Sequence, residues 1–424
     1  MAVTNAVHAS SMYRLVGATL LLAASLAQAA GDDATLDERA RGIHSRVLTL
    51  DSHVDILLPA TPQRYWGKDG KSAAEPAKLK QGGVDAIALA IAVGPGPRTA
   101  AGDAEARAEA DQKIATLQAF VRNNPQELAL AGSAADIERI HKSGKVAVIP
   151  SFLNARSLAG DVEAIDTLYQ QGVRIFAFTH AGNNAFADSS RPASGEGAEH
   201  HGLSALGKQS VPKLNRLGII VDVSQLTPDG VSQVLQLTRA PVIASHSAAR
   251  ALVDNTRNLS DAELDAIGKN GGVVHVTPFN PYIAKSPAGY PAKVEALRKE
   301  YGLGAGYVAS RGNVTEGYEA LPKPQQEKFV DAVSALQPQA TLADYVDHID
   351  YIAKRIGVDH VGIGSDFNHG SGVPGFSNEA DAFNVTRELV RRGYTEEQIA
   401  KIWSGNFLRV FRQVERVSGQ LQKS

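Results

Sequence analysis

The chain has 424 residues, a formal net charge of -2 and a hydrophobic fraction of 43%, which suits one large soluble barrel with insertions. No basic block marks a nucleic-acid partner. The absence of cysteine excludes disulfides, thiolate metal ligands and a cysteine nucleophile.

Residues 1–29 read as a secretory signal peptide. Arg14 precedes the apolar run Leu15 to Ala27, and Ala27-Gln28-Ala29 has the small-x-small form of a cleavage site. The run is too short to span a bilayer comfortably. The expectation is a periplasmic or secreted protein whose mature part, 30–424, is a single β/α barrel with no membrane span.

After a helix-like segment at 34–47, the apolar stretch Val47 to Asp55 reads as a buried strand. Further strand-like runs are Val84 to Val93, Val146 to Leu153, Phe176 to His180, Ile219 to Gln225, Val242 to His246, Gly272 to Thr277 and Val361 to Asp366. Helical patterns separate most of them, at Ala101 to Asn123, Asp161 to Gln171, Val211 to Leu217 and Thr341 to Ile356. Thr395 to Trp403 begins with a cap and an acidic turn, and a last helix follows Gly405. Eight apolar strands alternating with helices predict an α/β fold, a (β/α)8 TIM-type barrel with its site at the strand C-termini. Two stretches, about 182–207 and 281–338, break the rhythm and read as long loops over that mouth. Gly362-Ile363-Gly364 lacks the third glycine of a dinucleotide fingerprint.

Strand side chains alternate, so His53 and Asp55 aim together at the space beyond their strand. An imidazole beside a carboxylate is what a divalent metal such as zinc accepts. His180, His246 and Asp366 end other strands and would converge on the same mouth.

The motifs Asp51-Ser52-His53-Val54-Asp55, Thr179-His180, Ser245-His246-Ser247, Arg257-Asn258, Gly362-Ile363-Gly364-Ser365-Asp366-Phe367 and Gly405-Asn406-Phe407 together resemble the membrane (renal) dipeptidase family of the amidohydrolase superfamily. The resemblance runs in order along nearly the whole mature chain. It implies a metallohydrolase that cleaves dipeptides with two zinc ions. One ion is held by a His-x-Asp pair, a bridging Glu and a late Asp, the other by the same Glu and two His. Carried over, His53, Asp55, His246 and Asp366 are metal ligands. Asp366 also accepts the proton of the attacking water, His180 contacts substrate and the developing oxyanion, and Arg257 binds the substrate carboxylate.

Two positions depart from that pattern. The bridging Glu falls on Leu153, or on Asn154 if the alignment shifts by one, and the second metal's other histidine falls on Gln225. Neither an apolar side chain nor an amide replaces those ligands, so about one zinc per chain is expected. His200, His201 and His369 read as loop-surface residues rather than replacement ligands. His275 reads as a hydrogen-bonded core histidine, and His348 and His360 as structural. The expected partner is a small dipeptide-like substrate, with a homodimer left open. The alternative is a barrel that has lost catalysis and binds a peptide or small metabolite.

Overall fold

The computed structural model describes residues 33–192, 197–304, 317–337 and 339–423, so the expected signal peptide lies outside the described residues. Nine strands form one parallel sheet: β1 (Leu50–Asp55), β2 (Ala86–Ala92), β3 (Leu128–Leu130), β4 (Val146–Leu153), β5 (Ile175–Ala177), β6 (Ile220–Asp222), β7 (Ile243–Ser247), β8 (Val273–Val276) and β9 (Val361–Ile363). The order is β1-β2-β4-β5-β6-β7-β8-β9, and β3 pairs with β4 off this path. All eight expected strands are present. β3 is the addition, and three residues are too few to show a period.

The barrel nearly closes between its first and last strands. Val54 bridges Phe367, Asp55 N donates to Phe367 O at 3.0 Å and Asp366 N donates to His53 O at 2.8 Å. Closure thus sets the two expected carboxylate ligands side by side. At the opposite end, the strand starts Leu50, Ala86, Ile175, Ile220 and Ile243 pack against Phe407, Phe411 and Val414 of the C-terminal helix Asn406–Leu421. That helix seals the base, leaving the strand C-termini as the open mouth.

Helix starts follow the side-chain chemistry. Ser204 Oγ accepts from Gly207 N and starts Ala205–Leu217, earlier than the apolar pattern indicates. Thr341 and Asp344 make a reciprocal cap on Leu342–Ile356. The long segment after β8 carries helices Asn280–Ile283, Tyr290–Glu300 and Lys323–Ala335 in its described parts. Among the described residues no helix is long and apolar enough to cross a membrane.

The Gly362-Ile363-Gly364 stretch provides room rather than a phosphate loop. A Cβ on Gly362 would overlap the His275 ring, and one on Gly364 would overlap the Ser245 carbonyl oxygen and lie 2.7 Å from Ser52 Oγ. Because a backbone oxygen cannot move aside cheaply, Gly364→Ala is expected to cost ~3 kcal/mol. Equilibrium denaturation reads this out, and an unchanged midpoint would refute the packing argument.

Candidate metal centre

The expected site residues meet at the mouth. His53, His246 and Asp366 each place a ligand atom within 4.8 Å of the other two. His53 Nε2 lies 3.3 Å from Asp55 Oδ1 and 4.0 Å from Asp366 Oδ1. The His53 and His246 rings stack at 3.8 Å. All four residues are buried. Asp366 sits at φ 55, in the left-handed region, as does Gln225 at φ 70. Non-glycine residues held there mark backbone fixed by its surroundings, and they cluster at functional sites.

Two buried aspartates brace these strand ends. Asp51 Oδ1 accepts from His53 N and Ser365 N, at 3.0 and 2.8 Å. Asp222 Oδ1 accepts from Ser224 N and Ser245 N, at 2.9 and 3.0 Å. Each therefore fixes the backbone beside two candidate site positions.

His53 Nε2 and Asp55 Oδ1 are buried and lack any hydrogen-bond partner, although they face each other. A ring nitrogen and a carboxylate oxygen left without partners, with a second carboxylate beside them, suit a divalent cation. Burial would raise the Asp55 carboxyl, but the His369 and His53 charges outweigh it and hold the group well below the usual carboxylate range. Burial raises the Asp366 carboxyl despite the opposing pull of His369 and His53. The His180 imidazole is pushed well below its ordinary value by burial first, then by His369 and Arg191.

The residues at the second metal's expected positions offer it no ligand atom. Leu153 is in register with Ala92 on β2 and Ala177 on β5, and with Ala90 they form an apolar cluster at the strand ends. No oxygen from this position reaches the mouth. Asn154 is turned to the backbone, where its amide donates to Val93 O at 2.9 Å and its Oδ1 accepts from Arg156 N at 3.2 Å. Gln225 does not offer its oxygen either. Arg191 Nη2 donates to Gln225 Oε1 at 2.8 Å, which turns the amide nitrogen toward His246 Nε2 at 3.1 Å. Because a guanidinium only donates, the amide has one consistent orientation. The other His246 nitrogen lies 2.7 Å from Ser245 Oγ, whose proton goes to Asp222 Oδ2. Gln225 therefore occupies the lone pair with which His246 would bind metal.

Arg191 and His369 are the residues that sequence reading misses. Ser189 bridges Leu226 and Ser190 N donates to Gln225 O at 2.8 Å, which carries Arg191 alongside Gln225. Nothing in the local pattern signals this. His369, expected on the loop surface, is half-buried at the mouth instead. Its Nδ1 lies 2.9 Å from Asp55 Oδ2, its ring stacks on Tyr65 at 5.5 Å, and its edge contacts His180 at 5.2 Å. Its place three residues beyond Asp366, in a turn where Asn368 also has positive φ, was the available clue. His200 bonds Asn184 O at 2.9 Å within its own loop, and His201 is exposed. His275 bonds Ala244 O at 3.2 Å, His348 accepts from Ala249 N at 3.0 Å, and His360 bonds Gly272 O at 2.8 Å, all away from the cluster.

Arg257 is 3% exposed. Its Nη2 donates to His246 O at 2.9 Å and its guanidinium lies 5.1 Å from the Tyr282 ring, while Nε and Nη1 have no partner. A cavity of about 370 Å³ opens from Asp55, His180 and His369 between Leu58, Pro62 and Tyr65. That volume suits a small ligand.

A model of the membrane dipeptidase family (peptidase family M19) matches residues 37–424. The chain belongs to that family. This membrane dipeptidase family member is 37% identical to the probable dipeptidase PvdM from Pseudomonas aeruginosa, over 90% of this chain and 99% of that one, with a TM-score of 0.81. Dipeptidase tcpJ of Claviceps purpurea is 31% identical over 308 residues, which are 72% of this chain and 60% of tcpJ. Dipeptidase aclJ of Aspergillus oryzae is 29% identical over 73% of this chain and 62% of its own. The chain thus spans about three fifths of the length of these two curated relatives. A metallopeptidase from Rhodobacter sphaeroides, solved with a phosphinate mimic of L-Ala-D-Ala, shares the fold at a TM-score of 0.66 and 22% identity.

Proposed function

We propose that this chain is an exported metal-dependent hydrolase that cleaves the amide bond of dipeptides or similar small amides, with one zinc per chain. The observation that carries the reading is the pair of buried atoms without hydrogen-bond partners, His53 Nε2 and Asp55 Oδ1, beside Asp366. These three residues would hold the ion, with His246 adjacent and available to it only if the Gln225 amide turns away. A zinc held there would lower the pKa of a water and polarise a carbonyl. Asp366 takes the proton from the attacking water. His180, neutral in its buried setting, presents an N–H to the developing oxyanion. Arg257 holds the substrate carboxylate through its free Nε and Nη1. The export half of the reading rests on residues 1–29 alone.

The hydrogen bond from the Gln225 amide to His246 Nε2 favours one other reading, a barrel that binds a peptide or metabolite without cleaving it. A panel of L,L and L,D dipeptides assayed with added zinc separates the two. Hydrolysis of any member at rates above about 1 s⁻¹, within the ordinary enzyme range, supports the hydrolase. Inertness across the panel, with measurable binding of the same dipeptides, selects the binding protein.

A further inference from the structure

The mouth holds two guanidinium groups. Among the described residues neither Arg191 nor Arg257 is ion-paired with a carboxylate, and Arg191 Nε, Arg257 Nε and Arg257 Nη1 are buried and unpartnered. Both groups converge on one residue. Arg257 bonds the His246 carbonyl directly, and Arg191 reaches the His246 ring through Gln225. The two cations repel each other, and Arg191 also acts on His180 and His369 across the mouth. Asp366 and Asp222 act on Arg257 from a distance but accept none of these N–H groups, and buried donors left without an acceptor fit a site completed by an anionic ligand. Guanidinium groups suit carboxylates in particular, because their paired N–H donors match two oxygens.

One of these arginines is accounted for by the substrate carboxylate in the hydrolase reading, on which this inference rests. Arg191 is not. It stands where the family's second metal ligand is replaced by Gln225, and it restores a fixed positive charge to that side of the site. We propose that Arg191 and Arg257 form a twin-guanidinium subsite, and that the preferred ligands are amides carrying a second carboxylate, as in a dipeptide whose C-terminal residue is acidic. Gln225 is then a positioning residue that aims Arg191.

Binding measured without turnover tests this apart from the hydrolase reading. Calorimetric titration of the full chain compares N-acetylglutamate with N-acetylglutamine, which are nearly isosteric and differ by one charge. Both enantiomers of each are titrated. Wild type is expected to bind the glutamate compound about tenfold tighter or more, the scale of one charge-assisted hydrogen bond. Arg191→Gln should bring the two ligands to within about twofold of each other. Arg257→Gln should weaken both ligands. Equal affinity for the two compounds in wild type, absence of binding by both, or a preference that survives Arg191→Gln overturns the proposal. If Arg191→Gln does not fold, the wild-type comparison alone decides. A tenfold preference in a protein inert on every dipeptide would sink the hydrolase reading and leave the subsite standing.

Discussion

Asp366→Asn is expected to lower kcat for dipeptide hydrolysis by about a thousandfold or more. Loss of a positioned general base alone accounts for roughly 10²–10⁴. The substitution also removes a negative charge beside His53 Nε2, so bound zinc should fall in parallel. The fold should survive, for two reasons. The Asp366 contact that helps close the barrel is made by its backbone N–H to His53 O, which asparagine retains. Asparagine also tolerates the left-handed backbone that Asp366 adopts at φ 55. Steady-state kinetics, metal analysis and a thermal midpoint on one preparation check all three. A variant keeping a tenth of wild-type kcat would remove Asp366 from the proton-transfer role.

The second large effect concerns metal content. Wild type should retain about one zinc per chain after extensive dialysis, because Leu153 and Gln225 deny a second ion its ligands. Leu153→Glu with Gln225→His should raise this toward two. The histidine frees His246 Nε2 from the amide and adds a ring nitrogen, while the glutamate restores a carboxylate between Ala92 and Ala177. In metal-stripped protein, Leu153→Glu alone should destabilise the chain by several kcal/mol, since its charge would enter an apolar cluster with no cation to meet it. Two equivalents in wild type would show that other groups rebuild the second site. Among the described residues, no cluster of ligands beyond His53, His246 and Asp366 has the geometry to do so.

Much of this protein is legible in its sequence because strand and site share one signal. Most barrel strands are buried on both faces, so they appear as largely apolar runs, and the polar residues ending a run mark the mouth. The two-residue period then places His53 and Asp55 together without any tertiary information. The long segment after β8 is less readable. Its helices at Tyr290–Glu300 and Lys323–Ala335 bury only a few residues each, which leaves a weak periodic pattern among glycines and prolines.

The sequence by itself determined the barrel, the converging His53, Asp55, His180, His246 and Asp366, and the presence of Leu153 and Gln225 where the resemblance implies ligands. Only the tertiary structure decided how those two positions are used. Leu153 completes a hydrocarbon cluster with alanines from β2 and β5, and Gln225 is turned by Arg191 so that its amide faces His246. The same holds for His369, which belongs to the mouth because it meets Asp55 Oδ2 at 2.9 Å. Strand residues carry their direction in a local period. Loop residues such as Arg191 and His369 are placed by hydrogen bonds to distant strand ends, and those partners leave no periodic trace in the chain.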